Sequence, residues 1–316
     1  MTDDVRPYSD FTGSGAGDGP RNYIIDPQDA LVVDLAIKLG RPLLVEGEAG
    51  CGKSSLADAI AAELGLGDPV IVPIRSSSRS NDLFYRYDGL VRLQDRDADP
   101  EKARKAQNYI TLEPVGKAIV EGQRKVILID EIDKADMDFQ NDLLFALERF
   151  EFVIDDIPAS ETGKVNGVAH RMRREGPAKP IIMFTSNQEK LLPKPFLRRC
   201  FYLELKFPTD PDRLEEIVTA NLRTRKRRGE AGAASLAELN ETLVSRAVAS
   251  FLGIREAAGK SGAMKKPATA ELLDWVHALH IRPDLATDLH GLHPPLWELL
   301  FRTSQDKRRH AEAAAG

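Results

Sequence analysis

The sequence contains few cysteines, few aromatic residues and no long apolar run. The two cysteines, Cys51 and Cys200, do not indicate a disulfide framework, so we expect a protein of the reducing cytoplasm. Because no apolar run approaches the roughly 20 residues of a membrane-spanning helix, and no signal-peptide core is visible, we expect no membrane insertion. The net charge of -5 argues against a chain that coats nucleic acid. The length of 316 residues allows a large core and suggests two domains.

A glycine-rich stretch from Gly47 to Ser54 follows the apolar run Leu43–Val45 and precedes a helical pattern. Its spacing, G-x-x-x-x-G-K-[ST], is typical of a phosphate-binding loop between a strand and a helix. Glycines let backbone N–H groups turn toward phosphate oxygens, and the helix N-terminus adds further donors. We expect Lys53 to contact the outer phosphates and Ser54 to ligate Mg²⁺; a glycine-rich turn that binds nothing is the alternative. The predicted nucleotide-binding residues are Gly47, Glu48, Ala49, Gly50, Cys51, Gly52, Lys53, Ser54, Ser55 and Asp130.

Two carboxylates end the apolar run Val126–Ile129, which is typical of a strand buried on both faces of a parallel sheet. Ligands bind at the carboxyl ends of such strands, so Asp130 is a candidate for the Mg²⁺ shell and Glu131 for the base that activates water. A second buried strand ends at Asn187, which could hold that water. The alternatives are a solvated acidic turn and an ordinary strand-end asparagine.

The segments around this core define the expected domains. Residues 1–22 read as a disordered tail, 23–207 as an α/β nucleotide-binding domain, 208–303 as an all-helical domain and 304–316 as a charged C-terminal tail. Within the helical domain we expect a capping box at Ser235–Glu238 and a last helix at about Pro295–Arg302. The basic cluster Arg223–Arg228 lacks interleaved aromatics, which favours a solvated helix end over a nucleic-acid contact.

The order of these motifs resembles the AAA+ ATPases, and finer features resemble their MoxR branch. The resemblance is carried by Gly47 to Ser54, Leu128 to Ala135, Asn141 to Leu144 and Leu192 to Arg199. It implies a P-loop core with a five-stranded parallel sheet, a smaller helical lid, ATP and Mg²⁺ as cofactors, and a ring of copies, with a hexamer expected. It also implies a protein client and a von Willebrand factor A domain partner.

Residue roles also follow from this resemblance. It implies that Lys53 and Ser54 form Walker A, that Asp130 and Glu131 form Walker B, and that Asn187 is sensor one. The arginine finger falls on Arg199, with Arg198 as second candidate, and acts on a neighbouring subunit's ATP. Residues 88–110 correspond to the helix-two insert and 150–178 to the pre-sensor hairpin, both expected at the ring pore.

One position departs from the family pattern. Ala270 occupies the usual place of a sensor-two arginine, and Lys265 or Lys266 would replace only its charge, without the planar fork of a guanidinium.

Three hypotheses result. The first is a ring ATPase that remodels a protein client. The second is a nucleic-acid motor or clamp-loader-like switch that uses the basic cluster Arg223–Arg228 together with the pore-side residues Arg171, Arg173 and Arg174. The third is a nucleotide-gated scaffold with very slow turnover, which the altered lid segment motivates.

Overall fold

The computed structural model describes residues 11–12, 23–161, 163–228 and 240–315. Almost all of the predicted tail 1–22 and the predicted capping box Ser235–Glu238 lie outside the described residues. The helices are α1 (Pro27–Leu39), α2 (Lys53–Glu63), α3 (Gly89–Ala98), α4 (Pro100–Ala103), α5 (Pro114–Val120), α6 (Met137–Arg149), α7 (Lys194–Leu197), α8 (Pro211–Arg228), α9 (Glu241–Lys260), α10 (Thr269–Ile281) and α11 (Ser304–Ala315). The strands are β1 (Leu43–Gly47), β2 (Val70–Pro73), β3 (Tyr85–Tyr87), β4 (Ile110–Leu112), β5 (Val126–Asp130), β6 (Glu151–Val153), β7 (Arg171–Arg173), β8 (Ile181–Ser186) and β9 (Phe201–Leu205).

A five-stranded sheet with the order β2-β5-β8-β1-β9 forms the centre of the α/β part. The pairs β2–β5, β5–β8 and β8–β1 are parallel, with Ile129 opposite Phe184 and Leu44 also opposite Phe184. The first four residues of β5 are fully buried, as their unbroken apolar sequence predicts for a central parallel strand. The predicted P-loop α/β fold with a five-stranded parallel sheet is therefore confirmed.

Two compact units divide the described chain. The first contains Leu31–Glu46 and Leu64–Leu203, and its core packs α5 and α6 against β5 and β8. Asp136 caps α6 by accepting a hydrogen bond from the Phe139 N–H at 2.7 Å. The second unit contains Gly47–Glu63 and the chain from Glu204 onward. Its core surrounds the fully buried Trp275, whose indole N–H donates to the Pro295 carbonyl at 2.9 Å.

Two short antiparallel hairpins accompany the central sheet. β3 pairs with β4, so Leu112 lies in a strand opposite Tyr85, and α5 starts two residues later at Pro114. β6 pairs with β7, and this hairpin lies within residues 150–178. Between β3 and β4 the chain forms α3 and α4, with Asp88 capping α3.

The C-terminal residues also differ from their expected form. The last helix expected at about Pro295–Arg302 is only a 3-10 turn at Trp297–Leu300. The segment expected as a charged tail forms α11, with Asp306 and His310 buried. The predicted boundary between residues 207 and 208 stays a prediction. None of the described helices is both long and apolar enough to cross a membrane.

Candidate active site

Thr185 joins the two strand ends of the first unit. It lies on β8 beside the end of β5 and is fully buried. Its hydroxyl donates a short hydrogen bond to Asp130 Oδ1 and accepts one from the Glu131 backbone N–H at 2.9 Å. The orientation of the Asp130 carboxylate and the path of the chain into Glu131 are therefore both fixed by one side chain.

Glu131 has a left-handed backbone conformation, with φ of 58°, at the start of a 3-10 helix. Its carboxylate accepts a hydrogen bond from the Asn187 side-chain amide at 3.0 Å and pairs with the Lys134 ammonium. This hydrogen bond to Glu131 raises the pKa of Lys134. The structure thus brings together Glu131 and Asn187, two of the residues for which the sequence predicts a catalytic role.

Asp133 holds the turn that carries Asn187. Its buried carboxylate oxygen Oδ2 accepts the backbone N–H groups of Asn187 at 3.2 Å and Glu189 at 2.9 Å. Backbone donors at a strand end need such partners when water is excluded. The position of the Asn187 amide against Glu131 therefore depends on Asp133, for which the sequence indicated no role.

In the second unit, neighbouring atoms lie so close to the phosphate loop that two of its positions require glycine. A Cβ atom at Gly47 would lie 2.5 Å from the Leu205 carbonyl oxygen and 2.9 Å from Cys51 Sγ. Gly50 has φ of 85°, and a Cβ there would lie 3.2 Å from the Ala268 Cβ. The loop backbone can follow this path only without side chains at these two positions.

Lys53, Ser54 and Ser55 form the first turn of α2. The buried Lys53 ammonium donates to the Gly47 carbonyl at 2.8 Å and to the Glu48 carbonyl at 3.0 Å, while Ser54 and Ser55 are exposed. Cys51 is a free thiol whose pKa is raised by burial. A cation, a helix N-terminus and a glycine backbone meet here, and this donor set suits phosphate oxygens.

Arg255 of α9 contacts this loop and was not singled out from the sequence. Its guanidinium pairs with the Glu48 carboxylate at 2.6 Å, lies 3.7 Å from the centre of the Phe207 ring and donates to the Pro267 carbonyl. The Arg255 side chain is only 12% exposed. A cation held by a ring and a carbonyl is already desolvated and oriented, so it fixes Glu48 with little further ordering.

The start of α10 also contacts the loop. The Ala270 N–H donates to the Gly50 carbonyl at 3.3 Å, and a Cβ at Gly50 would lie 3.3 Å from the Ala270 Cβ. A long side chain at residue 270 would have to leave this contact or displace the loop. The Lys266 side chain lies against α9, where its Cε is 3.1 Å from the position that a Cβ of Gly259 would take.

The arginine pair follows α7 in the first unit. Phe196 is fully buried and packs edge-on against Phe184, with the two ring centres 4.9 Å apart. This contact anchors the short helix. Arg199 is exposed and pairs with Glu148 at 3.3 Å, while the Arg198 carbonyl accepts from the Arg41 guanidinium at 2.7 Å. Both arginine side chains are thus surface groups on a rigid support.

The predicted Mg²⁺ ligands were Ser54 and Asp130. Among the described residues, no group of three or more histidine, cysteine, aspartate or glutamate side chains could hold a metal ion. A protein-only metal cage is therefore absent from the described chain. Mg²⁺ commonly keeps few protein ligands and takes others from phosphates and water, which is compatible with this donor set.

Comparisons with known proteins identify the family. Residues 42–200, just over half of the chain, match the model of the AAA domain, dynein-related subfamily. The chain therefore belongs to this family, and the predicted AAA+ resemblance is confirmed at this level.

Solved structures that are similar to this chain include two point mutants of RuvB from Thermotoga maritima. The proline-to-glycine mutant has a TM-score of 0.40 and 18% identity, over 83% of this chain and 70% of that chain. The arginine-to-alanine mutant has a TM-score of 0.40 and 17% identity, over 85% of this chain and 70% of that chain. No curated protein matches the chain.

Proposed function

We propose that the protein is a MoxR-like AAA+ ATPase that hydrolyses ATP to remodel a protein client. The observation that carries this proposal is the Glu131 carboxylate, which the Asn187 amide holds at 3.0 Å beside Asp130 at the carboxyl ends of β5 and β8. A carboxylate oriented by an amide at this sheet edge suits the activation of a water molecule. The family match to the AAA domain supports the same reaction class.

The phosphate loop supplies the binding part of this proposal. Backbone N–H groups of residues 47–52 and the start of α2 bind phosphate oxygens, and the Lys53 ammonium neutralises the outer phosphates. Ser54 and Asp130 hold Mg²⁺, which neutralises phosphate charge when bound. Neighbouring protein atoms exclude a side chain at Gly47 and Gly50, and the glycine backbone is free to turn its N–H groups toward a phosphate.

In the chemical step, Glu131 accepts the proton of the attacking water and Asn187 keeps the carboxylate in place. Arg199, with Arg198 as second candidate, stabilises charge on the phosphates held by a neighbouring copy.

The active form is thus a cytoplasmic ring, with a hexamer expected, that works with a von Willebrand factor A domain protein. Addition of that purified partner and a client should raise the ATPase rate; no response would remove the partner assignment.

Glu131→Gln tests the assigned base. The variant keeps the hydrogen bond from Asn187 through its amide oxygen but cannot take a proton, so ATP hydrolysis should fall by about 10²–10⁴-fold while ATP binding persists. The measurements are single-turnover hydrolysis and ATP titration of the same preparation. Asp142→Asn, an exposed acid on α6, is the matched control and should leave both unchanged. Wild-type hydrolysis by Glu131→Gln would contradict the assignment.

A nucleotide-gated scaffold is the second candidate. The Lys134–Glu131 ion pair and the alanine at residue 270 favour it, because the base is already engaged and the lid lacks an arginine at that position. A scaffold predicts that Glu131→Gln changes neither client assembly nor client release, whereas a remodelling ATPase predicts that assembly persists and client release stops.

A further inference from the structure

A cavity of about 650 Å³ lies at the amino ends of the central strands, within the first unit. Its walls include Pro42 before β1, Pro180 before β8 and Arg124 before β5. Asp130 and Asn187 lie at the opposite, carboxyl ends of these strands. The cavity is therefore separate from the acidic strand end described above.

Most of the charged side chains that line this cavity are cationic. Glu148 is the one acidic residue among the lining residues, and Arg199 is its partner at 3.3 Å. Two of the other cations, Arg124 and Arg198, have no ion pair or side-chain hydrogen bond within the described chain. The six lining cations are Lys38, Arg41, Arg124, Lys179, Arg198 and Arg199.

Two of the cationic groups are held in place by contacts with their neighbours. Arg41 donates to the Arg198 carbonyl at 2.7 Å and lies 5.2 Å from the centre of the Phe201 ring, so its guanidinium is held against this part of the cavity wall. The Lys179 ammonium lies 5.9 Å from the centre of the Phe150 ring, which is itself buried. Guanidinium groups do not lose their charge at ordinary pH, so a bound anion would lower their mutual repulsion.

The size and mixed character of the cavity define the ligand class. Its volume lies within the roughly 300–1,000 Å³ of small-molecule sites, which favours a compact ligand over a nucleic-acid strand. The planar fork of arginine matches phosphate oxygens, and several cations match several phosphates. Apolar walls from Ile37, Leu147 and Ile182 could also accept the base or sugar of a nucleotide.

We propose that this basic cavity binds the phosphates of a nucleoside polyphosphate, and that Arg124 and Lys179 are among its ligand contacts. The ligand is either free in solution or held in the phosphate loop of a neighbouring copy. Only the second source rests on the proposed ATPase function, because only that source requires a ring.

The test starts from the Lys53→Ala protein, in which the phosphate loop loses its cation. ATP binding to this protein is measured by calorimetry at high dilution, with and without the added pair Arg124→Glu and Lys179→Glu. A free ligand predicts binding that the added pair weakens by at least about tenfold. The control pair Arg86→Glu and Lys117→Glu reverses two exposed cations outside the cavity and should leave binding unchanged.

The second arm uses the otherwise unchanged chain at concentrations where it self-associates. A neighbour's nucleotide predicts no ATP binding to the dilute Lys53→Ala protein. It also predicts an ATPase rate at least about tenfold lower for Arg124→Glu with Lys179→Glu, at unchanged ATP affinity and self-association. If the charge-reversed pair fails to fold, Arg124→Ala with Lys179→Ala replaces it, with melting temperature as the check.

The proposal is overturned if neither ATP binding in the first arm nor the ATPase rate in the second differs from the control pair. It is also overturned if the Lys53→Ala protein binds a single-stranded oligonucleotide through these residues and does not bind ATP. The first arm measures binding without hydrolysis, so it can succeed even where the proposed ATPase function fails.

Discussion

At the scale of single residues, a buried threonine controls the geometry of two acidic groups. The Thr185 hydroxyl contacts Asp130 Oδ1 and the Glu131 backbone N–H at once, and it has no exposure to water. A methyl group in its place would remove both the acceptor of the Glu131 N–H and the hydroxyl that donates to Asp130 Oδ1. Loss of a buried partner commonly costs about 1–3 kcal/mol.

Thr185→Val tests this role, since valine keeps the shape and removes the hydroxyl. We expect the free energy of unfolding to fall by about 1–3 kcal/mol and the ATPase rate to fall with it. Denaturant unfolding and steady-state ATP hydrolysis are the measurements. Thr185→Ser, which restores the hydroxyl, should recover most of both; equal stability and activity in the valine variant would remove Thr185 from the site.

Sequence reasoning found the acidic residues but not their supports. Asp130, Glu131 and Asn187 stand at the ends of apolar runs, where polar side chains are conspicuous. Thr185 lies inside such a run and Asp133 within a turn, so neither breaks the pattern. Their roles depend on the register of β5 against β8, which sequence periodicity does not specify.

At the scale of elements, the phosphate loop of the second unit is fastened to α9 and α10. Arg255 pairs with Glu48, and the Ala270 N–H contacts the Gly50 carbonyl. The small residue at position 270 permits this close approach. We infer that lid contact with the loop passes through Arg255 and the α10 backbone rather than through a side chain at residue 270.

A double-mutant cycle of Arg255→Ala and Glu48→Ala measures this fastening. Glu48 is half exposed, so we expect a coupling energy of only about 0.2–1 kcal/mol for the pair. Arg255→Ala alone should cost more, because it also removes the stacking on Phe207. Urea unfolding of the four proteins gives these values. Equal costs for the two single variants would show that stacking on Phe207 contributes nothing.

The packing of α11 predicts a pH dependence of stability. His310 is fully buried, its Nε2 lies 3.0 Å from the Leu292 carbonyl, and Nδ1 has no partner within the described residues. Burial lowers the pKa of His310 below its ordinary value. The folded chain therefore binds fewer protons at this group than the unfolded chain, and stability falls as the pH falls.

The expected loss is at most about 1.4 kcal/mol per pH unit below the ordinary histidine pKa of about 6.5. Unfolding in urea between pH 7 and pH 5 measures it. His310→Gln should flatten this slope, whereas the exposed His290→Gln should leave it as in the wild type. An unchanged slope in His310→Gln would assign the pH dependence to other groups.

Element prediction succeeded where periodicity is long or boundaries are marked. The apolar runs Leu43–Val45 and Val126–Ile129 lie in β1 and β5, and Pro27 and Gly40 mark the two ends of α1. β3 and β4 have three residues each and too few alternations to be seen in sequence. α11 was expected as a tail because its charged residues conceal His310, which is buried by tertiary contacts with α9 and with the rings of Trp297 and Phe301.

At the scale of the whole molecule, the proposed activity requires more than one copy. The central claim is that Arg199 of one chain completes the ATP site of the next. Arg199 is exposed and its support on Phe196 is rigid, as a group offered to a neighbour must be. An arginine supplied in this way contributes about 10³–10⁵ in rate.

The direct measurement is the ATPase rate per chain as a function of protein concentration, for the wild type, Arg199→Ala and the control Arg86→Ala. Arg86 is a comparable exposed arginine, paired with Glu113 at 4.0 Å. The account predicts that the wild-type and Arg86→Ala rates rise with concentration to a plateau, and that Arg199→Ala stays at least about 10³-fold below it. A rate per chain that is independent of concentration and unaffected by Arg199→Ala would contradict the account.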